Sequence, residues 1–191
     1  MGNCSHEEAD TRIVVHVLDS VQVGDARTVQ VRTVDTDVIV ILVGKFHDLQ
    51  AHKSDIDIWV AFGMGKHFSF VSINRICSVL GEAKSRALPI FHAFSGCDTT
   101  SSFNGKGKKS AWQTWKIYQE LTPALESLAI NPFQQLSVGS SSFQKLERFT
   151  ILMYDKSSPF DSINEARMNL FCKQNRAMER LPPTQVSEHA S

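Results

Sequence analysis

Apolar residues recur at every fourth position in the first helix-length segment of the chain, residues 6–23. They are Ala9, Ile13, Val17 and Val21. An interval of four places these side chains on one face of an α-helix, because about 3.6 residues make one turn. The pattern therefore predicts an amphipathic helix over residues 6–23, with one buried face.

Residues 28–34 alternate between polar and apolar side chains, which is typical of a strand with one buried face. Residues 38–43 are six consecutive apolar residues. Their β-branched content favours a strand, whereas Asp37 as an N-cap, with further apolar residues downstream, favours a helix. We predict a strand that ends at Val34, a turn, and then a short buried helix.

Two further strand-like runs, residues 56–62 and 66–73, are separated by the Gly-Met-Gly segment 63–65. Glycines between two such runs are typical of a β-hairpin. A phosphate-binding Walker A loop is disfavoured, since Val60 and His67 occupy the positions where that motif has glycine and Ser or Thr. The segment is therefore predicted to be a hairpin.

The rest of the chain is predicted to be mainly helical, with a flexible Gly-Ser joint at residues 139–142. Asn74 is the expected N-cap of the first of these helices, and Gly81 is its expected end. The predicted helices are 74–80, 109–121, 123–130, 144–154 and 163–178.

The composition is that of a globular protein: 42% of the 191 residues are hydrophobic, enough for one domain with a small appendage. The 20 basic residues balance the 20 acidic ones, so any affinity for a polyanion must come from a local patch. The four cysteines form no C-x-x-C pair and are expected to be free thiols. No secretory signal or membrane-spanning run is found, so we expect an intracellular protein, nuclear or cytoplasmic, without membrane contact.

Five carboxylates stand at the ends of predicted elements: Glu8 and Asp10 at a helix start, Asp35 and Asp37 after a strand, and Asp98 before a glycine-lysine loop. Ligands of α/β proteins bind beyond the carboxyl ends of parallel strands. Clustered carboxylates need protonation or a cation, and oxygen ligands select Mg²⁺ or Mn²⁺. The alternative for the first two acids is an acidic helix turn that complements the helix dipole.

A second candidate site is the loop Gly105, Lys106, Gly107, Lys108 and Lys109. Residues 99–119 contain four lysines and no acid, so the local charge is positive although the whole chain is neutral. Glycines allow backbone N–H groups to approach a phosphate, and the lysines add charge. A nucleic-acid contact is predicted here, with a solvated lysine loop as the alternative.

Three motifs together resemble the flap-endonuclease branch of the PIN-like nucleases. Glu8-Ala9-Asp10 resembles their Glu-Ala-Glu helix start, and Val34-Asp-Thr-Asp37 resembles their Ser/Glu-Asp-x-Asp segment. Phe94-Ser-Gly-Cys-Asp98, followed by Phe103-Asn-Gly-Lys-Gly-Lys-Lys-Ser-Ala111, resembles their Leu-Gly-x-Asp-Tyr…Ile-x-Gly-Ile-Gly-x-Lys-x-Ala passage. The chain is also similar to uncharacterised PIN-like proteins of animal genomes that are associated with mobile elements.

This resemblance covers roughly residues 6–120 and implies an α/β fold of PIN-like, three-layer type. The fold has a mostly parallel central sheet, an added hairpin and C-terminal helices. The expected organisation is a partial nuclease domain over 6–120 that contains a helix-hairpin-helix-like loop at 91–116. A helical extension over 121–180 and a disordered tail over 181–191 are expected to follow.

The implied activity is metal-dependent hydrolysis of phosphodiester bonds by a structure-specific endonuclease. Asp10, Asp35 and Asp37 would be catalytic, and two Mg²⁺ or Mn²⁺ ions would activate water and stabilise the leaving oxygen. The implied substrate is single-stranded or branched DNA, held by the lysine loop. The implied metal ligands are Glu8, Asp10, Asp35, Asp37 and Asp98.

The chain departs from the family in one respect. Members of that family begin with a central strand that carries an aspartate, and a second acid follows before their helical gateway. No segment of this sequence replaces either, so the first central strand is expected to be missing and the activity impaired. The alternatives are a non-catalytic nucleic-acid-binding module and an inactive remnant of a nuclease.

Overall fold

The structure is a computed structural model that describes residues 9–97, 103–133, 135–174 and 181–184. These residues form a mixed α/β arrangement of α-helices and one three-stranded sheet, so the predicted α/β class is confirmed. The chain divides into an N-terminal unit, Met1–Pro89, and a C-terminal unit, Ile90–Ser191. This division falls earlier than the domain boundary near residue 120 that the sequence predicts.

The first unit alternates between helix and strand up to β2, continues with a second strand, and ends in two helices. In chain order they are α1 (Ala9–Gln22), β1 (Thr28–Thr33), α2 (Thr36–His52), β2 (Asp57–Phe62), β3 (Ser69–Ser72), α3 (Ile73–Leu80) and α4 (Glu82–Phe94), which continues into the C-terminal unit. In the described residues beyond α4, four more helices follow: α5 (Lys108–Ile117), α6 (Leu121–Ile130), α7 (Ser141–Tyr154) and α8 (Ile163–Gln174).

The sheet has the order β1-β2-β3, with β1 parallel to β2 and β2 antiparallel to β3. Helix α2 provides the crossover that two parallel neighbours require. The predicted β2–β3 hairpin is confirmed, but its connection is longer than a tight turn. It extends from Gly63 to Phe68 and contains a 3₁₀ turn at Gly65–His67, so β3 begins at Ser69 and not at Lys66.

Helix α2 corrects the prediction of a short helix after Val34, since it extends over 17 residues. Its buried residues recur at intervals of three and four, which is the spacing of one helical face. They are Val38, Leu42, Val43, Phe46 and Leu49, and Gly44 is buried as well. The β-branched run 38–43 is therefore helical because tertiary burial outweighs its strand preference.

The cap of α3 also differs from the prediction. Ser72 is the N-cap, and its Oγ accepts the N–H of Arg75 at 3.2 Å. Asn74, the predicted cap, instead donates from Nδ2 to the carbonyl of Ile56 at 2.7 Å and accepts the N–H of Ile58 at 2.9 Å. This amide joins α3 to β2, which no local sequence signal indicates.

The core of the N-terminal unit lies between α1, α2, α3 and one face of the sheet. Val31 is paired with Val60, and Val60 with Val71, so these three side chains share that face. They pack with residues of all three helices, among them Val17, Val21, Leu42, Phe46, Ile73 and Cys77.

Helices are the regular secondary structure of the C-terminal unit over its described residues. Trp115 is buried, and its ring stacks on Phe91 with ring centroids 4.5 Å apart. The predicted flexible joint at 139–142 contains an ordered cap, since Ser140 Oγ accepts the N–H of Phe143 at 3.2 Å. Of the predicted disordered tail, only 181–184 are described, and Leu181 is buried there.

Within the described parts of the chain, no helix combines the length and the apolar character that crossing a bilayer requires.

Candidate functional site

Three of the five predicted metal ligands lie among the described residues, namely Asp10, Asp35 and Asp37. Glu8 and Asp98 lie outside them. The described acids belong to the N-terminal unit, and the lysine loop belongs to the C-terminal unit. The two candidate sites are therefore built separately.

Asp35 is the N-cap of α2. Its Oδ1 accepts the N–H of Asp37 at 2.8 Å, and its own N–H donates to Thr33 Oγ1 at 3.0 Å. A carboxylate at this position satisfies a backbone donor that the helix leaves unpaired. The side chain is exposed, and its Oδ2 has no hydrogen bond to any described residue. Asp35 thus has a structural role and still offers one oxygen to a ligand.

Asp37 and Asp10 lie in the first turns of α2 and α1, and both are half-buried. The N-terminal end of a helix carries a partial positive charge that stabilises a carboxylate. Together with the cap at Asp35, this charge explains the three acids without a cation. It therefore supports the dipole alternative that the sequence left open for Asp10.

The topology nevertheless brings these acids to one end of the helix pair α1–α2. At the opposite end, Gln22 Nε2 lies 3.3 Å from the His52 ring nitrogens, and the Lys53 ammonium pairs with Asp25. The last turns of the two helices are therefore adjacent, and both helices run in the same direction. Counting back at 1.5 Å per residue gives about 18 Å to Asp10 and about 22 Å to Asp37, a difference of less than one turn.

This shared end is also the carboxyl end of β1, where α/β proteins bind their ligands. The chain topology therefore places Asp10, Asp35 and Asp37 at the same end of the helix pair. Among the residues that are described, however, no three His, Cys, Asp or Glu side chains lie close enough together to hold a metal ion.

The lysine loop is a turn that leads into α5. Gly105 has φ +68°, a left-handed conformation that favours glycine, and the N–H of Lys106 donates to Phe103 O at 3.0 Å. Gly107 is the N-cap of α5 and has no side chain to cap the helix. A Cβ added at Gly107 would meet no described residue within 4 Å, so a larger cap residue has room there.

The backbone N–H groups of Lys108 and Lys109 point out of this helix end, and neither has an acceptor among the described residues. The first turn of α5 contains no acid. Two lysines beside the positive end of a helix dipole repel it, and such an end is a ready site for a phosphate. The electrostatics therefore favour an anion at this position.

The three lysines of the loop differ in their surroundings. Lys108 Nζ lies 3.2 Å from His92 O and 3.1 Å from His92 Nδ1. Lys106 Nζ lies 5.3 Å from the centre of the Tyr154 ring, a cation–π distance. Lys109 is exposed and forms no ion pair with a described carboxylate. Lys109 is thus the cation most available to a bound phosphate.

A third surface was not predicted from the sequence. Arg32, Phe68 and Phe70 lie together on the exposed side of the sheet in the N-terminal unit. The available signal was the pair of phenylalanines two residues apart, within a stretch from residue 58 to 81 that has no acid.

No protein-family model matches the chain, and no curated protein and no solved structure is significantly similar to it.

Proposed function

We propose that this chain binds the phosphate backbone of nucleic acid through the loop Gly105–Lys109. The observation that carries this proposal is the N-terminus of α5, where the glycine cap leaves the N–H groups of Lys108 and Lys109 without an acceptor among the described residues and the exposed Lys109 adds a positive charge. A phosphate satisfies both, since it accepts from the N–H groups and neutralises the repulsion between the lysines and the helix dipole.

Replacement of the cap residue tests this proposal, because it moves stability and affinity in opposite directions. In Gly107→Asp, a carboxylate would cap α5 and complement its dipole, so the melting temperature should rise. The same carboxylate would compete with phosphate, so the affinity for a fluorescein-labelled oligonucleotide, measured by anisotropy, should fall severalfold. Gly107→Asn provides the neutral cap as a control and should lose less affinity.

The contribution of lysine charge is tested by Lys109→Ala against Lys116→Ala, which removes an equal charge from the last turn of the same helix. Only Lys109→Ala should weaken binding, by about threefold to tenfold at low salt, with the loss shrinking as salt rises. Equal losses in the two variants, or an affinity that is independent of salt, would contradict the proposal.

We propose a second function for the N-terminal unit: Mg²⁺- or Mn²⁺-dependent hydrolysis of single-stranded or branched DNA, on a PIN-like fold. It is supported by the chain topology, which puts Asp10, Asp35 and Asp37 at the end of the α1–α2 pair that lies by the carboxyl end of β1. All the atoms that these side chains offer to a metal are carboxylate oxygens, which fits a hard divalent cation. Bound there, such a cation would activate water and stabilise the leaving oxygen. The three carboxylates would supply its ligands, with Glu8 and Asp98 as further candidates.

Asp35→Ser separates the catalytic role of Asp35 from its capping role. Serine caps a helix about as well as aspartate but is a poor metal ligand, so the melting temperature should be kept while metal-dependent cleavage is lost. Asp35→Ala should lose both. Cleavage of end-labelled oligonucleotides with and without Mn²⁺ provides the readout. If neither single-stranded DNA, branched DNA nor RNA is cut with either metal, hydrolysis is excluded.

A further inference from the structure

The sheet of the N-terminal unit has a second face, opposite the core. Arg32 is paired with Ala61, and Ala61 with Phe70, so these side chains form one row across the sheet. Trp59 and Ser72 form the neighbouring row. Because Val31, Val60 and Val71 point into the core, these rows point away from it.

Aromatic rings are exposed on this second face. Phe70 is 56% exposed and Phe68 is 38% exposed, and their ring centroids lie 5.1 Å apart in an edge-to-face arrangement. The Arg32 guanidinium lies 4.7 Å from the centre of the Phe68 ring, and its Nη2 donates to Gly63 O at 3.3 Å. Rings and guanidinium together form a surface of flat groups that water solvates poorly.

The charge of this surface is positive. No acid occurs between Asp57 and Glu82, whereas Lys66 and Arg75 lie in that stretch. Arg32, Lys66 and Arg75 form no ion pair with any carboxylate of a described residue. Asp57 lies at the edge of this face, and its Oδ2 accepts the indole N–H of Trp59 at 2.7 Å.

A largely apolar groove of about 480 Å³ adjoins Phe70. Trp59 lines one part of it, and Arg75 and Val79 of α3 line another. Val79 is also largely exposed. The groove therefore offers an apolar surface beside a cation, in continuity with the exposed ring of Phe70.

We propose that this surface binds single-stranded nucleic acid by stacking bases on Phe70 and on the Arg32–Phe68 pair. Base faces stack on aromatic rings and on guanidinium planes, and adjacent cations bind the backbone. A duplex keeps its base faces stacked inside, so the surface should select single strands. The inference rests on the proposal that the ligand is nucleic acid, but it uses no residue of the lysine loop and none of the three acids Asp10, Asp35 and Asp37.

The test compares the full-length chain with variants of exposed phenylalanines, using anisotropy of a labelled oligothymidylate and of a duplex of the same length. Phe70→Ala should weaken single-strand binding about tenfold, which corresponds to one lost stacked base. Duplex binding should not change. Phe70→Trp should retain affinity, and its tryptophan emission should be quenched by the oligonucleotide. Phe133→Ala removes a ring that is 95% exposed elsewhere and serves as the matched control.

Two outcomes would overturn the inference. One is an equal effect of Phe70→Ala and Phe133→Ala on single-strand binding. The other is that polyglutamate binds at Phe70 more tightly than oligothymidylate does, which would indicate an acidic protein partner. Loss of binding in Lys109→Ala but not in Phe70→Ala would reject the stacking surface and leave the proposed backbone contact intact. If Phe70→Ala loses single-strand binding and the unaltered chain cuts no oligonucleotide with either metal, stacking is supported and hydrolysis is rejected.

Discussion

The acidity of the Cys77 thiol is set by its burial in the N-terminal core. Cys77 is 1% exposed, and its Sγ lies 3.7 Å from Val43 O. Burial raises the pKa of the Cys77 thiol to about 11, because a thiolate is poorly solvated there, and a hydrogen bond with Ser85 offsets only part of this effect. The thiol is thus protonated at neutral pH and is a packing residue, as expected for a buried free cysteine.

We predict that Cys77 does not react with a disulfide reagent in the folded protein at pH 8. A colorimetric thiol titration of Cys77→Ala should give the wild-type count in native buffer and one thiol fewer in denaturant. Cys172→Ala is the control, since Cys172 is exposed and its loss should lower the native count. A lower native count for Cys77→Ala would show that the thiol is accessible.

Helices α2 and α4 approach each other closely at Gly44 and Pro89. Pro89 lies inside α4, where its ring removes a helical hydrogen bond. Its Cγ occupies the space beside Gly44 of α2, only 2.3 Å from where a Cβ on that residue would lie. The glycine in α2 therefore compensates for the proline in α4.

We predict that Gly44→Ala destabilises the protein by about 1–3 kcal/mol, because the new methyl group overlaps the proline ring. Pro89→Ala in the same chain should recover part of this loss, since it removes Cγ and Cδ. Urea denaturation of the two single variants and the double variant gives the coupling energy. Additive effects would mean that the two residues do not share this space.

An ion pair also joins α2 to α4. Arg86 Nη1 donates to Asp48 Oδ1 at 2.5 Å. Partial burial raises the pKa of Asp48, but the hydrogen bond and charge of Arg86 outweigh it, so this pKa lies below its ordinary value of 3.8. The carboxylate therefore stabilises the fold above that value, and the contribution disappears as pH falls through the lower, folded-state pKa.

We predict that Asp48→Asn costs less than about 1 kcal/mol at pH 7, since the carboxylate is 45% exposed and water screens it. The difference from the wild type should vanish below the folded-state pKa of Asp48. Urea denaturation at a series of pH values provides the measurement. A cost that stays constant down to about pH 2 would assign the effect to packing and not to charge.

The whole molecule has a formal net charge of zero, so it exerts no long-range attraction on a polyanion. Any salt dependence of nucleic-acid binding must come from local groups. A lysine that contacts a phosphate releases counterions, whereas a stacked phenylalanine does not. The two proposed contacts should therefore differ in their response to salt.

We predict that Lys109→Ala makes the slope of log Kobs against log salt shallower by about 0.7 for single-stranded DNA. Phe70→Ala should lower the affinity at every salt concentration and leave the slope unchanged. Anisotropy titrations over a range of KCl concentrations provide the measurement. If this slope is the same in Lys109→Ala as in the wild type, Lys109 does not contact a phosphate.

Local periodicity and turn residues are enough to predict an alternation of helices and strands, the β2–β3 hairpin and most of the helices. They do not determine the length of α2 or the cap of α3. The run after Val38 satisfies both a strand and a helix pattern, and burial against α1 and α3 decides between them. Asn74 is a good local cap, but its amide is used by the backbone of β2, far away in the chain.

For the candidate sites, the residue types indicated the chemistry, and tertiary structure decided their placement. The order of acids and lysines along the chain is a local property, so the sequence alone is enough to name Asp35, Asp37 and Lys109 as candidates. The parallel arrangement of α1 and α2, which gathers the acids at one end, is a property of packing. The exposed ring of Phe70 was missed because alternation in β3 does not reveal which face is covered; only the folded chain shows that.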